Sequence, residues 1–263
     1  MVDTDGRRGK LFADAASALA DLPDGASIAC GGFGTAGSPL ALMRAVVEGT
    51  AGDLEIIANN GGLSEWSMAP LLGQGRVRRV VATHIGANRE LQQHFVAGRV
   101  EIELTPQGTF AERLRAGGHG IPAFFTPTGV GTCVETGGLP QRYGPNGTVI
   151  TASRPKEVRE LGGRRCVLET ALRPDYALVH AWRGDPLGNL VFRKGARNFN
   201  PAMAMAARTT VAEVEELVEV GELDPDAVHL PGIFVDRVVE VGPAGKLIEV
   251  LTTRPHGEGD RGC

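Results

Sequence analysis

The sequence predicts an α/β fold built on an open, mostly parallel sheet with helices on both faces and a small β-rich excursion. Through the first half of the chain, short β-rich runs alternate with segments whose apolar residues recur at helical spacing. Each run is followed by a loop rich in glycine or asparagine, and repeated β-loop-α units are typical of parallel sheets. A chain of 263 residues is long enough for one such domain with an elaboration.

The first elements of this pattern are a helix, a strand and a second helix. Residues 28–30 form a short buried strand. For the helix after it, we expect Ser38 as the N-cap, Pro39 as the first residue and Gly49 at the end. The helix before the strand is predicted from apolar residues at helical spacing: Leu11, Phe12, Ala15, Ala16, Leu19 and Leu22.

Three more strands are predicted at residues 54–58, 77–83 and 100–104. Polar or glycine-containing loops follow them: Asn59-Asn60-Gly61-Gly62, His84-Ile85-Gly86 and Thr105-Pro106-Gln107-Gly108. Ligands of parallel sheets gather at the carboxyl ends of the strands, where these loops and the glycine loop after residue 30 all fall. The sequence therefore predicts a site at this edge of the sheet.

Helical segments follow two of these strands. Asn88 can cap a helix that stops at Gly98. Thr109 and Glu112 are spaced as a capping box for a helix that extends to Gly117. Both helices complete the β-loop-α units that the fold class requires.

The second half of the chain begins with an irregular stretch rich in glycine and proline. We expect a β-rich excursion over residues 134–169, with Asn146-Gly147 as a hairpin turn. Regular elements then resume as two strands and one capped helix: 176–182, 190–192, and 202–207 with Asn200 as its cap and Pro201 after it. The expected organisation is a flexible N-terminus at residues 1–10, one domain over 11–242, and a C-terminal tail over 243–263 with a disordered end.

Composition and charge argue against several classes of protein. The formal net charge of −4, with both signs interspersed, gives no support for nucleic-acid binding. No run approaches the about 20 apolar residues that a membrane span needs, and the first residues are polar rather than signal-like. We therefore expect a cytoplasmic protein with neither a nucleic-acid nor a membrane partner.

Cysteine and histidine positions do not predict a metal site or a disulfide framework. The cysteines show neither CxxC nor metal-ligand spacing: Cys30, Cys133, Cys166 and Cys263. Ordinary burial is a better interpretation of these thiols than catalysis. His84 at a strand end and His119 in a glycine loop could lie near a site, although we favour ordinary surface or loop positions for both.

The glycine loop after the strand at 28–30 allows two interpretations. Residues 32–37 match GxGxxG formally, and Asp53 or Glu55 could serve as the acidic residue of a dinucleotide site. Glycines there would let backbone N–H groups approach a bulky ligand at a helix N-terminus. The same spacing is equally compatible with a purely structural tight turn.

The residue types at positions 24–39 match a known sequence signature. Asp24-Gly25, then Gly31-Gly32-Phe33, Gly37 and Pro39 at their spacings, resemble the signature of the alpha-type subunits of family I coenzyme A transferases. Cys30 departs from it slightly, standing at a position that is usually aliphatic. The resemblance covers residues 15–239, and further segments carry it: Asn59-Asn60, 101–109, 116–118, 120–124, 126–132, Gly188-Asn189 and 192–200.

This resemblance implies a reaction in which coenzyme A moves from an acyl group to a carboxylic acid. In the family, a glutamate attacks the acyl-CoA and then carries CoA as a thioester. That glutamate belongs to the beta subunit, in a Glu-Asn-Gly context that this chain lacks. Glu65, in Ser64-Glu65-Trp66, is the nearest superficial match, and we do not expect it to be the nucleophile. The resemblance thus implies a beta-subunit partner in an αβ or α2β2 assembly.

Gln107 is the catalytic residue that the resemblance implies for this chain. An amide donor at a strand's carboxyl end suits the negative oxygen that develops during acyl transfer, although Gln107 could instead only pin its own turn. CoA or acyl binding is implied for Gly31, Gly32, Phe33, Gly34, Thr35, Ala36, Gly37, Asn59, Asn60, Gly129 and Gly131. The basic residues Arg193, Lys194 and Arg197 could bind CoA phosphates, but a solvated face or a contact between subunits is the simpler interpretation.

The expected function is that of the alpha subunit of a 3-oxoacid CoA-transferase. Residues 153–160 resemble the branch that moves CoA from succinyl-CoA to acetoacetate. Transfer to acetate or 3-oxoadipate, hydrolysis of a CoA-activated ring, and metabolite binding without turnover remain alternatives. CoA thioesters are expected as substrates, with no permanently bound cofactor and no metal.

Overall fold

The computed structural model describes residues 9–61, 68–86 and 88–243. Most of the flexible N-terminus and C-terminal tail expected from the sequence, and Glu65, therefore lie outside the described residues. The strands are β1 (Leu11–Phe12), β2 (Ser27–Cys30), β3 (Leu54–Ala58), β4 (Val77–Ala82), β5 (Glu101–Leu104), β6 (Ala123–Thr126), β7 (Pro140–Tyr143), β8 (Val149–Ala152), β9 (Val158–Leu161), β10 (Arg164–Thr170), β11 (Tyr176–Gly184), β12 (Leu190–Val191), β13 (Thr209–Leu217) and β14 (Arg237–Glu240). The α-helices are α1 (Ala15–Ala18), α2 (Leu40–Glu48), α3 (Pro70–Gly73), α4 (Arg89–Val96), α5 (Gln107–Gly118), α6 (Cys133–Thr136) and α7 (Asn200–Ala206).

A nine-stranded sheet organises the fold, in the order β1-β14-β13-β11-β2-β3-β4-β5, with β12 beside β11. Every neighbouring pair along this path is parallel, and β12 is antiparallel to β11. The carboxyl ends of all strands on the path therefore lie at one edge. This arrangement confirms the predicted open, mostly parallel sheet.

Helices cover both faces of this sheet. In β2, Ile28 and Cys30 pack into one hydrophobic cluster with residues of α1, α2, α3 and α4. Ala29, between them, packs into a second cluster with residues of α5 and α7. Successive side chains of a strand point to opposite faces, so the alternation in β2 places a helical layer on each side. Within the described part of the chain, no helix is long and apolar enough to cross a membrane.

The β-rich excursion forms two small sheets outside the main one. The antiparallel sheet β6-β10-β9 and the hairpin β7-β8 occupy the region after α5. Asn146 and Gly147 have positive φ values of 51° and 70°, and the backbone N of Gly147 donates a 3.2 Å hydrogen bond to Gly144 O across the turn. The expected hairpin turn is therefore present.

The predicted helix through Leu11 and Leu22 is wrong at both ends, since α1 spans only Ala15–Ala18. Leu11 and Phe12 form β1, which pairs with β14 at the sheet edge. The helix begins only at Ala15, because Asp14 caps it by accepting a 2.7 Å hydrogen bond from Ser17 N. The spacing of apolar residues does not distinguish a helix from a short edge strand at Leu11 and Phe12.

Three of the predicted helix caps are also wrong, whereas a fourth is confirmed. Pro39, rather than Ser38, is the N-cap of α2. α5 begins at Gln107, so Thr109 is buried within the helix and forms no capping box with Glu112. Phe199 occupies the N-cap of α7, because the Asn200 side chain is committed elsewhere. The confirmed cap is Asn88, which accepts a 2.9 Å hydrogen bond from Leu91 N.

Candidate active site

A cleft of about 420 Å³ lies at the carboxyl ends of the four neighbouring strands β2 to β5. The described residues that line it are Phe33, Gly34, Asn59, Asn60, Thr83, His84 and Gln107. They come from the four loops that follow these strands, as the sequence predicted for a parallel sheet. The structure thus gathers amide, hydroxyl, imidazole and aromatic groups around one space.

Asn59 is the polar centre of this cleft and is only 4% exposed. Its Oδ1 accepts a hydrogen bond of 2.9 Å from Gln107 Nε2. Thr83 binds the same residue, with its backbone N 2.9 Å and its Oγ1 2.7 Å from the carbonyl oxygen of Asn59. These contacts join the ends of β3, β4 and the start of α5 into one rigid unit.

Gln107 is exposed at the start of α5, with its amide held by Asn59. Its side chain does not fold back onto its own turn in this contact, since Asn59 belongs to the loop after β3. An amide nitrogen carries two hydrogens, and the bond to Asn59 uses one of them. Gln107 is therefore oriented by the protein while retaining a hydrogen-bond donor.

The glycine loop contributes a tight turn to the cleft wall. Phe33 and Ala36 exchange backbone hydrogen bonds of 3.0 and 3.1 Å, and Gly34 between them has a φ of 57°. The ring of Phe33 is 51% exposed and stacks parallel to Phe199 at 6.4 Å between centroids. Thr35 lies at the tip of the turn. The turn places the ring of Phe33 and the backbone of Gly34 in the cleft wall.

Asn200 holds the base of this loop. Its Oδ1 accepts a 3.0 Å hydrogen bond from His180 N, and its Nδ2 donates bonds of 2.9 Å to the carbonyls of Gly37 and Ala196. A Cβ on Gly31 would lie 1.8 Å from Asn200 Oδ1, and one on Gly37 would lie 2.5 Å from Ala196 O. These two glycines are therefore required by packing, which is the structural role that the sequence left open.

A buried charge cluster supports the helix behind the loop. Glu213 Oε2 accepts a 3.0 Å hydrogen bond from Leu42 N in the first turn of α2, which has no side-chain cap of its own. His180 Nδ1 lies 2.8 Å from Glu213 Oε1, and its Nε2 lies 3.3 Å from Glu215 Oε1. Burial lowers the pKa of His180, but the two glutamates outweigh burial, so the pKa is raised above its ordinary value.

A second charge cluster lies behind Gln107. Glu103 on β5 pairs with Arg79 on β4 and with the buried Arg113 on α5. Arg113 Nε also donates a 2.8 Å hydrogen bond to Thr170 O, at the end of β10. Burial raises the pKa of Glu103, but Arg113 and Arg79 outweigh it, so the pKa is lowered. This cluster fixes α5, and with it Gln107, against the sheet.

Several residues considered from the sequence lie away from the cleft. Gly129 and Gly131, with φ values of 91° and 76°, belong to the loop between β6 and α6 and are not among the described lining residues. Asp53 and Glu55 lie at the opposite, amino-terminal end of β3, where Arg78 binds both of them. A dinucleotide ribose carboxylate is thus absent from the described cleft lining.

The remaining candidates have contacts that suggest local roles. Arg193 stacks over Trp182 at 5.3 Å, and Lys194 and Arg197 bound a short 3₁₀ turn before α7. His119 Nδ1 lies 2.8 Å from Arg115 O at the end of α5. Burial raises the pKa of the Cys30 thiol to about 12, so it is not a thiolate at neutral pH.

The sequence analysis did not identify four residues that support the site. Thr83 binds Asn59, and Asn200 binds the glycine loop. His180 and Glu213 bind each other, and His180 binds Asn200. Thr83 ends a predicted strand, and this position at the carboxyl end of the sheet indicates a place near the site. The other three have no such local signal, because their partners are distant in the sequence: Asn200 bonds to Gly37 and Glu213 to Leu42, 163 and 171 positions away, and His180 binds both Asn200 and Glu213. His84 lines the cleft, whereas the sequence favours an ordinary surface or loop position for it.

Comparisons with known proteins identify the family. The profile of the family described as coenzyme A transferase matches residues 12–241. The A-type subunit of a probable succinyl-CoA:3-ketoacid coenzyme A transferase of Mycobacterium tuberculosis (strain ATCC 25618 / H37Rv) is 54% identical over 245 residues, covering 93% of this chain and 99% of that protein. The A-type subunit of the succinyl-CoA:3-ketoacid coenzyme A transferase of Xanthomonas campestris pv. campestris (strain B100) is 48% identical over 257 residues, covering 97% and 98%.

Longer relatives match over part of their length. The mitochondrial succinyl-CoA:3-ketoacid coenzyme A transferase 2A of Rattus norvegicus is 48% identical over 245 residues, and the matched part is 93% of this chain but 47% of that protein. The chain thus spans about half the length of this relative.

Solved structures show the same fold. An acyl-CoA transferase of Escherichia coli O157:H7, in a thioester complex with CoA, matches with a TM-score of 0.78 and 22% identity over 92% of this chain and 51% of that one. The glutaconate coenzyme A-transferase of Acidaminococcus fermentans matches with a TM-score of 0.73 and 23% identity over 89% of this chain and 76% of that one. Because the family profile spans most of the sequence and the two bacterial A-type subunits match over nearly their whole length, the chain belongs to the coenzyme A transferase family.

Proposed function

We propose that this chain is the alpha subunit of a 3-oxoacid CoA-transferase that moves CoA from succinyl-CoA to a 3-oxoacid such as acetoacetate. The names of the Mycobacterium and Xanthomonas relatives support the substrate pair. The observation that carries the proposal is the exposed amide of Gln107, which Asn59 orients at the mouth of a cleft between strand ends.

The proposed nucleophile is a glutamate of a partner beta subunit, since this chain has no Glu-Asn-Gly segment. The glutamate attacks the thioester carbonyl and releases CoA thiolate, which leaves an acyl-glutamyl anhydride. CoA thiolate then attacks the glutamyl carbonyl and releases succinate, which leaves an enzyme-CoA thioester. The same steps in reverse, with acetoacetate, give acetoacetyl-CoA.

Gln107 has the geometry for the charge that develops in these steps. Each attack converts a planar carbonyl into a tetrahedral centre with a negative oxygen. The second hydrogen of Gln107 Nε2 is proposed to donate to that oxygen, and Asn59 keeps the amide from rotating away. Removal of one donor of this kind typically lowers the rate by about 10²- to 10³-fold.

The glycine loop is proposed to bind the CoA thioester. The exposed ring of Phe33 and the turn at Gly34 line the cleft. Gly31, Gly32 and Gly37 let the loop backbone pack closely against neighbouring residues, because a Cβ at any of them would clash. CoA thioesters are the substrates, and the proposed chemistry uses no further cofactor. Roles for Gly129 and Gly131, an αβ or α2β2 stoichiometry and a cytoplasmic location stay predictions.

The test is transfer of CoA from succinyl-CoA to acetoacetate, measured with this chain alone and with the beta subunit from the same organism. Activity is expected only in the mixture. Gln107→Ala should lower kcat by about 10²- to 10³-fold, whereas Gln93→Ala, at an exposed position of α4, should leave it unchanged. Activity of this chain alone would contradict the divided site and return attention to Glu65.

A further inference from the structure

His84 stands apart from the other groups of the cleft. The described lining residues carry aromatic, amide and hydroxyl side chains or none, and His84 is the member of this set that can carry a positive charge. It follows β4, and its side chain is exposed rather than packed into the core. The charged groups around Glu103 and Glu213 form ion pairs within their own clusters and are not among the described lining residues of the cleft.

The place of β4 in the sheet puts His84 beside the reacting centre. β4 lies between β3, which ends at Asn59, and β5, which leads to Gln107. Thr83, the residue before His84, is bound to Asn59 by its backbone and its hydroxyl. The segment that carries His84 is therefore anchored to the same unit that orients Gln107.

The proposed substrates differ in one respect that such a group can recognise. A succinyl group has a second carboxylate at the end remote from the thioester, whereas an acetoacetyl group has an uncharged ketone. A carboxylate that enters a cleft loses water and needs a charged or strong hydrogen-bond donor in return. Neutral amides such as Asn60 supply only part of that compensation.

We propose that His84 is a specificity-determining residue that binds the distal carboxylate of a dicarboxylic acyl substrate while Gln107 faces the reacting carbonyl. This inference rests on the proposed function. It assigns the charged end of the donor to β4 and the reacting end to the start of α5. It also predicts that the acceptor does not depend on His84, because the end of acetoacetate remote from its reacting carboxylate is an uncharged ketone.

The test uses the complex of this chain with its own beta subunit. Values of kcat/KM are measured for succinyl-CoA, for acetoacetyl-CoA, and for butyryl-CoA, in which a methyl group replaces the distal carboxylate. The variants are His84→Gln, a neutral side chain that still donates hydrogen bonds, and His84→Lys, which places a cation at the same position. His94→Gln on α4, away from the described cleft lining, is the matched control.

His84→Gln is expected to lower kcat/KM for succinyl-CoA by about 10- to 100-fold, the effect of one hydrogen bond to a charged group. The values for butyryl-CoA and acetoacetyl-CoA should change little, His84→Lys should recover part of the loss, and His94→Gln should behave as the wild type. An unchanged ratio of succinyl-CoA to butyryl-CoA in His84→Gln, in an active complex, would overturn the role of His84 alone. A wild-type complex that does not use succinyl-CoA would overturn the proposed function and this inference together.

Discussion

Gln107 and Asn59 are 48 residues apart in the sequence, yet Gln107 Nε2 donates a 2.9 Å hydrogen bond to Asn59 Oδ1. Asn59 is buried at the end of β3, and Gln107 is exposed at the start of α5. Asn59 is buried and has few accessible rotamers, so its hydrogen bond restricts the rotamers of the exposed Gln107 side chain. The orientation of the candidate catalytic amide is a property of this pair.

A double-mutant cycle tests that coupling. Gln107→Ala and Asn59→Ala should each lower kcat, because one removes the donor and the other releases it. The double variant should be little worse than Gln107→Ala, since Asn59 acts on the rate through Gln107. The cycle is measured as CoA transfer by the complex with the beta subunit. Additive losses would show that Asn59 acts independently of the glutamine.

Gly31 should be intolerant of even one added methyl group. In Gly31→Ala the new Cβ displaces Asn200 Oδ1, which disturbs the bonds of Asn200 to His180, Gly37 and Ala196. We expect a loss of about 1–3 kcal/mol in the free energy of unfolding, as for other overpacked sites.

Gly73→Ala is the control for Gly31→Ala, because a Cβ at Gly73 meets nothing within 4 Å. Both variants are compared by urea denaturation, and Gly73→Ala should be neutral or slightly stabilising. Asn200→Ala removes the clashing atom but also the hydrogen bonds of Asn200, so the losses of Gly31→Ala and Asn200→Ala should be less than additive in the double variant. A Gly31→Ala protein as stable as the Gly73→Ala protein would refute the packing argument.

Protonation of His180 should stabilise the fold toward acidic pH. Because the folded-state pKa is raised, this contribution is complete below the ordinary value of about 6.5 and is lost as pH rises through the higher folded value. The difference in free energy of unfolding between wild type and His180→Gln should therefore shrink as pH rises from about 6.5 through the higher folded-state value. A difference that is constant over this range would show that the cluster does not bind a proton on folding.

Glu103 should have the opposite pH dependence. Its folded-state pKa is lowered, so its contribution is present above the ordinary value of 4.5 and is lost as pH falls through the folded value. Glu103→Gln leaves the buried Arg113 without its carboxylate and should cost about 3–5 kcal/mol near neutral pH. Acid denaturation curves should converge for variant and wild type; a Glu103→Gln protein with unchanged neutral stability would contradict the pairing.

Much of the site could be predicted because its backbone signals are local. The strand at 54–58 was predicted with its observed bounds, and the polar loops after it and its neighbours lie at one edge because parallel strands share a direction. What could not be predicted depends on distant contacts. Asn200 has the sequence context of a helix cap, with Pro201 behind it, but a loop 163 residues away uses its side chain.

The buried charges show the same limit. Glu213 and Glu215 alternate with apolar residues in β13, a pattern that favours a polar face exposed to solvent. In the structure Glu213 is 1% exposed, because its face of the strand meets the first turn of α2 and the ring of His180. Only the order of strands in the sheet decides this outcome, and strand order is not a local property.

The pairing of β1 with β14 has a consequence for synthesis on the ribosome. Leu11 lies opposite Val238, so β1 cannot pair with β14 until nearly all of the described chain has been synthesised. β2 likewise lacks one neighbour until β11 has been made. A nascent chain therefore carries unpaired strand edges, which favour association with other chains until they are covered. The glycine loop, which Asn200 holds at its base, cannot be completed before residue 200 has been synthesised, so the candidate site forms only after most of the described chain has been made.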